Sequence, residues 1–384
     1  LQLALHILES MTVDSASKGI TISMFDYDGP EPNVNWGGYG DGTIKSGLLK
    51  KELQYDSQTG EYLPEAKDGA IGKLRKSFST TNNTFYKGNA NHLFLQSVYD
   101  ESGYFYYSSF ENYAFFNQSD KNFVVYDALG TPSDEKKYFY QRGNFMPYNN
   151  IEAGKYSTNY NLYDENGTPL QPGDDGYNEK LYKPQGTNNF EFGMKIESDF
   201  VQPKDGQVNG EDMIFEFNGD DDMWVFVDGV LMLDIGGIHD AHSGSINFST
   251  GQITWTDCKT NETPVTSYST LKREFEGTSK YSSTDWDGNT FADYSSHNIQ
   301  IFYMERGSGA SNCKIKFNIQ TIPKGQIQVV KHLNAETDPV KYGDVQFGFK
   351  LFVENANEDG QGTGRYTQVT NQNLEQYGAV FGYD

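Results

Sequence analysis

The sequence predicts an all-β protein: an antiparallel β-sandwich with long loops and a few short helices, followed by a second small β-sandwich domain that is truncated. Three observations carry this expectation. Tyr and Phe number 27 and 26 beside 40 Gly, the mixture of aromatic strand formers and turn formers that β-rich chains use. Between Asn189 and Ile319 short apolar runs recur with turn residues between them, the rhythm of a sandwich or barrel and not of parallel strands alternating with helices. Two of those runs meet at Asp228-Gly229, a strong two-residue hairpin signal.

Taken in order, Thr21 to Tyr27 alternates like a strand, and a stretch rich in Gly, Asn and Asp follows to about Gly42. One or two short helices are expected between Lys45 and Lys76. Asn91 to Tyr99 suits either a short helix or a strand. The aromatic runs at 103–109, 112–116 and 122–126 are separated by Asn, Ser, Asp and Gly, which predicts antiparallel strands with tight turns. Residues 142–189 are loop-rich. Strands are then expected at 190–200, 213–218, 223–227, 230–234, 245–248 and 252–255, with Thr250-Gly251 turning the last pair, and at 298–303 and 314–319. Pro323-Lys324-Gly325 marks a boundary, after which 326–331 and 345–353 read as new strands. The expected domains are 1–322, with a core over about 190–320, and an incomplete 323–384. Both ends read as cut edges of a longer polypeptide.

Acidic residues outnumber basic ones by 53 to 30, a formal charge of −23. Nucleic-acid binding needs a basic face, and so does docking on anionic lipid; the charge argues against both. No run of eighteen apolar residues occurs, so no direct membrane insertion by a helix is expected. The acidity suits a protein that collects divalent cations on carboxylate oxygen, or one that merely keeps an exposed surface soluble. Cys258 and Cys313 each sit in or beside a predicted strand. They suit a disulfide in an oxidising setting or two buried thiols, and they lack the nearby His partners of a zinc site.

The chemistry concentrates in Asn218-Gly219-Asp220-Asp221-Asp222, which runs straight into Met223-Trp224-Val225-Phe226-Val227. Three successive carboxylates repel one another unless a cation or hydrogen-bond donors compensate. The strand that follows pins the loop to one end of a sheet. Pinned, convergent carboxylates suit Ca²⁺, which takes about six to eight oxygens. The alternative is a solvated acidic turn separating two strands.

Asp-Asp, a short strand and Asp-Gly resemble the protective-antigen-type domain found in anthrax toxin and in yeast flocculin adhesins. Counting back from Asp228-Gly229, the family's paired aspartates fall on Asp220 and Asp221. In lectin members that pair is joined by a cis peptide and holds a Ca²⁺ that binds sugar hydroxyls. Here Asp222 stands where Gly is common, which leaves the frame of the pair open by one residue. A longer resemblance covers roughly 190–320. Asp220 to Gly229, Leu233-Asp234-Ile235-Gly236-Gly237-Ile238-His239, Phe302-Tyr303-Met304-Glu305-Arg306-Gly307 and Ser311-Asn312 look like the fibro-slime subfamily of Gram-positive surface proteins and slime-mould matrix proteins.

This resemblance implies a Ca²⁺ cofactor, with Asp220, Asp221 and Asp222 as candidate ligands. In flocculin-type lectins a later loop completes the site, and Thr284-Asp285-Trp286-Asp287-Gly288-Asn289 has that place in chain order. Asp287 is then a further candidate metal ligand, and Asp285, Trp286 and Asn289 candidate sugar contacts, with Trp286 stacking on a sugar. The alternative is an ordinary Asp-Gly turn with an exposed Trp. His239 and His297 are expected to be structural, each ring bonding a backbone group, and Glu305 and Arg306 to form an ion pair at the sheet's end.

No His-Glu-x-x-His, Gly-x-Ser-x-Gly or phosphate loop occurs, so no catalytic residue is expected. Ile327, Val329 and Lys331 alternate onto one face of a strand, and the segment resembles the opening of a pilin-like stalk domain. That resemblance implies an isopeptide bond from Lys331; the alternative is a Lys at the strand's end that snorkels to water. Together these features imply a non-catalytic, calcium-dependent, glycan-binding adhesin. It is expected to be secreted to a Gram-positive bacterial surface and anchored to the cell wall through parts outside this chain. Its expected partners are host or dietary glycans or glycoproteins and other domains of the same surface protein. A structural filament subunit, with calcium serving rigidity, is the competing expectation, and a polysaccharide-active enzyme the third.

Overall fold

The structure is a computed structural model. It describes residues 11–27, 47, 49–67, 74–127, 143–153, 162–163, 169–170, 182–184, 187–257, 263–283, 285–306, 310–323, 350, 352–356 and 362–370. The chain divides into two units, Leu1–Gln326 and Ile327–Asp384.

Two six-stranded antiparallel sheets build the first unit. In chain order their strands are β1 (Thr21–Asp26), β2 (Tyr86–Ala90), β3 (Phe105–Ser108), β4 (Phe192–Val201), β5 (Ile214–Gly219), β6 (Asp222–Val227), β7 (Val230–Ile235), β8 (His242–Asn247), β9 (Gln252–Asp257), β10 (Val265–Thr270), β11 (Ser296–Glu305) and β12 (Cys313–Phe317). Sheet A has the order β7-β6-β11-β4-β1-β2 and sheet B the order β10-β9-β8-β5-β12-β3. The all-β, antiparallel class expected from the strand rhythm is the class observed. Residues before 190 supply β1, β2 and β3, so the sandwich is not confined to the 190–320 core.

The core lies between the sheets. Met194, Ile196, Met223 and Val225 of sheet A meet Phe215, Phe217, Ile246 and Ile315 of sheet B in one buried cluster. The sheets differ on their outer faces. β5 alternates, with Phe215 and Phe217 buried and Glu216 exposed, as a strand with one wet face should. Every residue of β6 is buried, because sheet A is covered on both sides. A second cluster joins Trp224, Phe226, Phe302 and Phe25 to Leu49, Leu53, Leu63 and Phe78. Phe78 meets Phe302 edge-on, with ring centroids 5.0 Å apart. Phe78 closes helix α1 (Leu74–Phe78).

The segment 45–76, expected to hold short helices, carries the hairpin of Gln54–Asp56 and Glu61–Leu63 as well as the start of α1. Tyr55 faces Tyr62 across that hairpin with centroids 5.3 Å apart, a cross-strand contact that propensity along the chain does not report. Helix α2 (Gln96–Ser102) ends on Gly103 at φ 74°, and α3 (Leu271–Phe275) is capped by the Thr270 side chain accepting from the Arg273 N–H. Asp228 and Gly229 have φ of 49° and 78°, the paired left-handed conformation of the two-residue hairpin expected there. No helix among the described residues is long and apolar enough to cross a membrane.

In the second unit the described strands are Phe352–Ala356 and Gly362–Gln368, an antiparallel hairpin. Lys331, with its proposed isopeptide bond, and Cys258 lie outside the described residues; Cys313 is a buried thiol.

Candidate functional site

β5 ends in sheet B and β6 begins in sheet A, so Asp220 and Asp221 cross from one sheet to the other at the end of the sandwich. The crossing is tight. A Cβ at Gly219 would fall 2.1 Å from the Asn312 carbonyl oxygen, so only glycine permits the approach. Across that approach the Asp220 N–H donates to the Asn312 carbonyl at 3.1 Å, and the Asn312 N–H donates back to Asp220 Oδ1. The Tyr303 hydroxyl donates to the Asp220 carbonyl at 2.7 Å. Asn312 is itself held by its side-chain amide donating to the Gly143 carbonyl at 2.8 Å. The Asp220–Asp221 peptide bond is cis.

The three aspartates have different partners. Asp221 accepts from the backbone N–H groups of His239 and Arg306, each at 3.3 Å. Asp222, fully buried, accepts from the Gly237 N–H and takes the Arg306 guanidinium on both oxygens, through Nε at 2.5 Å and Nη2 at 3.2 Å. The guanidinium therefore contacts Asp222, a partner the sequence reading did not name, with Glu305 adding a further charge effect on it. A two-pronged charged contact thus already occupies the Asp222 carboxylate and competes with its use as a metal ligand.

Burial governs the electrostatics. Asp220 and Asp221 are each 3% exposed. Loss of solvent pushes the Asp220 carboxyl up to about 6, against the lowering effect of the Asn312 N–H. Loss of solvent, then the charge of Asp222, pushes Asp221 up to about 7. Glu305, also buried, is raised well above the usual carboxylate range by desolvation and then by Asp221 and Asp220. For Arg306 burial works to lower the pKa, but the charge and hydrogen bonds of Asp222, with Asp221 and Glu305, together raise it. Beside the loop, His239 and His242 both direct Nδ1 at the Asp240 carbonyl, at 2.7 and 2.5 Å. That carbonyl can only accept, so both rings carry their proton on Nδ1. Burial first holds His239 below its ordinary value, and burial followed by His239 brings His242 to about 4. His239 thus bonds a backbone group, as expected. His297, expected to bond a backbone group, is corrected: its ring bonds the Asp228 carboxylate at 2.7 Å and the Ser295 hydroxyl at 2.6 Å, at the other end of the sheet.

The second candidate loop does not join the first. Trp286–Asp287 and Thr290–Phe291 form a small hairpin that precedes β11, and β11 begins opposite Val227, not opposite Asp222. A ten-residue strand, roughly 30 Å long, separates the two loops. Asp285, Asp287 and Asn289 are exposed there. Trp286 is half-buried: its indole N–H donates to the Ser282 carbonyl at 2.8 Å, and its ring stacks on Phe291 at 5.1 Å. The ring serves packing at the far end of the sandwich. Asp287 as a metal ligand, and Asp285, Trp286 and Asn289 as contacts completing the Asp220–Asp221 site, are corrected accordingly. Chain order suggested their place, but the direction of β11 decides it.

Among the described residues no group of three or more His, Cys, Asp or Glu side chains is placed to hold a metal ion. The acids at the crossing therefore do not form a closed cage. Asp220 and Asp221 are a hard-oxygen pair with lone pairs beyond those their amide donors use. That donor set fits one open side of a Ca²⁺ shell, the rest of which would be carbonyl, water or ligand oxygen. Sequence reasoning missed Asn312 and Arg306 as the groups that hold the loop, although both lie in segments quoted for the resemblance.

No family model matches the chain, and no solved structure matches it. The curated proteins it is similar to include the following from Dictyostelium discoideum. Protein psiD is 36% identical over 124 residues, covering 32% of this chain and 19% of psiD. Protein psiN is 32% identical over 133 residues, 33% of this chain and 15% of psiN. Protein psiF is 30% identical over 119 residues, 31% of this chain and 14% of psiF. The chain thus spans less than a fifth of the length of each of these relatives. These similarities point to Dictyostelium-type proteins, and they overturn the expected identity as a Gram-positive fibro-slime adhesin with a pilin-like stalk, together with its bacterial, cell-wall-anchored location.

Proposed function

We propose that this chain is a non-catalytic, calcium-dependent glycan-binding module, in which Asp220 and Asp221 hold a Ca²⁺ that engages sugar hydroxyls. The carrying observation is the pair itself: two carboxylates, each 3% exposed, anchored by backbone N–H groups, beside a third whose charge Arg306 offsets. Burying ionised carboxylates is costly unless a cation accompanies them, and a divalent ion supplies the charge. A bound Ca²⁺ would contribute a strong oxygen-directed electrostatic field, while the protein's amides orient the two carboxylates. The ligand class is a glycan or glycoprotein bearing adjacent hydroxyls.

The low exposure of the pair also favours a second reading, in which the ion is enclosed and serves rigidity alone. Calcium titration followed by a glycan array separates the two. Lectin function requires that calcium stabilise the full chain, that the calcium-loaded chain bind glycans, and that both effects vanish in chelator and in a folded Asp221→Asn variant. Calcium stabilisation with no glycan hits selects the rigid role. Absence of any calcium effect removes both readings.

A further inference from the structure

The outer face of sheet B, which alternates exposed residues along β5, carries an open groove of about 780 Å³ that lies outside the acidic crossing. Its lining runs from Thr266 of β10 through Thr256 of β9, Ser245 of β8 and Glu216 of β5 to Lys316 of β12, with Phe110 at the far side. Four strand spacings separate β10 from β12, so the groove reaches roughly 20 Å across the strands. It is long and shallow rather than enclosed.

Its chemistry narrows the ligand. Short neutral hydroxyls and an amide make up about half of the lining, beside the aromatic Phe110, Phe217 and Trp255, and Asn218 already donates to the Ser243 hydroxyl at 2.8 Å. The charged groups come in both signs: Lys316 and Glu216 lie 3.9 Å apart, with Lys314 and Glu111 also lining the groove. Balanced charge on a chain of net −23 does not suit a polyanion, which demands a basic surface. A hydroxyl-lined floor does not suit an acyl chain. An extended peptide adding to a sheet uses the backbone groups of an edge strand, whereas this floor is a face whose ladder groups are consumed. A sugar hydroxyl both donates and accepts, so adjacent carboxylate, ammonium and hydroxyl groups match vicinal hydroxyls in either sense.

We propose that this groove binds a linear, uncharged polysaccharide laid across the strands, independently of calcium and of the Asp220–Asp221 pair. Phe110, 40% exposed, supplies an apolar contact at one end for a sugar face.

The test uses the full chain in chelator, which silences the crossing, with hydroxyethyl cellulose, xylan, galactomannan and chitin oligosaccharides as probes in affinity electrophoresis and calorimetry. Binding to at least one probe is expected. Lys316→Ala should weaken it about tenfold, the loss of one hydrogen bond to a charged donor. Ser245→Trp, which fills the floor, should abolish it, and Asp221→Asn should leave it unchanged. Circular dichroism establishes that each variant is folded, and a Glu216→Gln, Lys316→Met double variant stands in for Ser245→Trp should the latter misfold. Failure of every probe with the folded chain overturns the proposal. So does binding indifferent to the groove variants, binding that needs calcium, or selection of peptides in place of glycans by the same groove.

Discussion

Arg306 and Asp222 lie 84 residues apart in sequence, and beside the dominant effect of burial they act on Asp221 in opposite directions, Asp222 raising its pKa and Arg306 lowering it. Both side chains are almost wholly removed from solvent. Removing one partner leaves the other charge buried, which costs about 3–5 kcal/mol. Arg306→Met should accordingly lower the urea midpoint sharply, and Asp222→Asn in the same chain should restore part of the loss; an Arg306→Met chain as stable as the parent would refute the electrostatic account. The pair at 220–221 gives a pH dependence of opposite sign to ordinary salt-bridged acids. Asp220 and Asp221 have pKa values of about 6 and about 7 in the fold, against 3.8 when unperturbed. Between those values the folded chain holds more protons than the unfolded one, so without calcium the pair's contribution to stability falls as pH rises from about 4 to about 7. On the proposed reading a Ca²⁺ would bind the ionised pair, so the melting-temperature gain on adding calcium should be larger at pH 7.5 than at pH 5. An equal gain at both pH values would exclude these carboxylates as the ligands.

Among the elements, the β5–β6 crossing depends on one close approach. Gly219 sits between the Asn312 carbonyl and the Phe217 ring, and Asn312 in turn holds Asp220, its carbonyl accepting from the Asp220 N–H and its N–H donating to the Asp220 carboxylate. Gly219→Ala inserts a methyl group where backbone must move, a cost of about 1–3 kcal/mol. If Asp220 holds calcium as proposed, it should weaken calcium binding as well as stability, because the displaced Asn312 no longer orients the Asp220 carboxylate. Calorimetry on the folded variant checks this; unchanged calcium affinity would separate the crossing from the site. The hairpin of β6 and β7 behaves differently. Its Asp228-Gly229 turn is a local device whose conformation follows from the two residues themselves.

For the first unit as a whole, sheet A is buried on both faces and sheet B on one. The cover over sheet A comes from Leu49, Leu53, Leu63, Ala66, Leu74 and Phe78, and β1 fills the place between β4 and β2. A fragment beginning at residue 190 would lose β1, β2, β3 and that cover together. It would leave β4 as an unpaired edge and Trp224, Phe226 and Phe302 facing water, an apolar patch that promotes association. Such a fragment should aggregate or lack dispersed amide signals in NMR, whereas residues 11–323 should fold. A monomeric, well-dispersed 190–322 fragment would contradict this dependence.

Several features could be read from the residues alone: the alternation of Phe215 and Phe217 around Glu216, the Asp228-Gly229 turn, and the concentration of acid at 220–222. Each depends on backbone preference or side-chain alternation within a few residues. Tertiary structure alone decided that Asp222 pairs with Arg306, that the Trp286 loop lies at the far end of β11, and that the wet face of sheet B forms a groove. Those outcomes turn on which strands become neighbours and in which direction they run. Burial and counter-charge are set by atoms distant in the chain, and no local pattern carries that information.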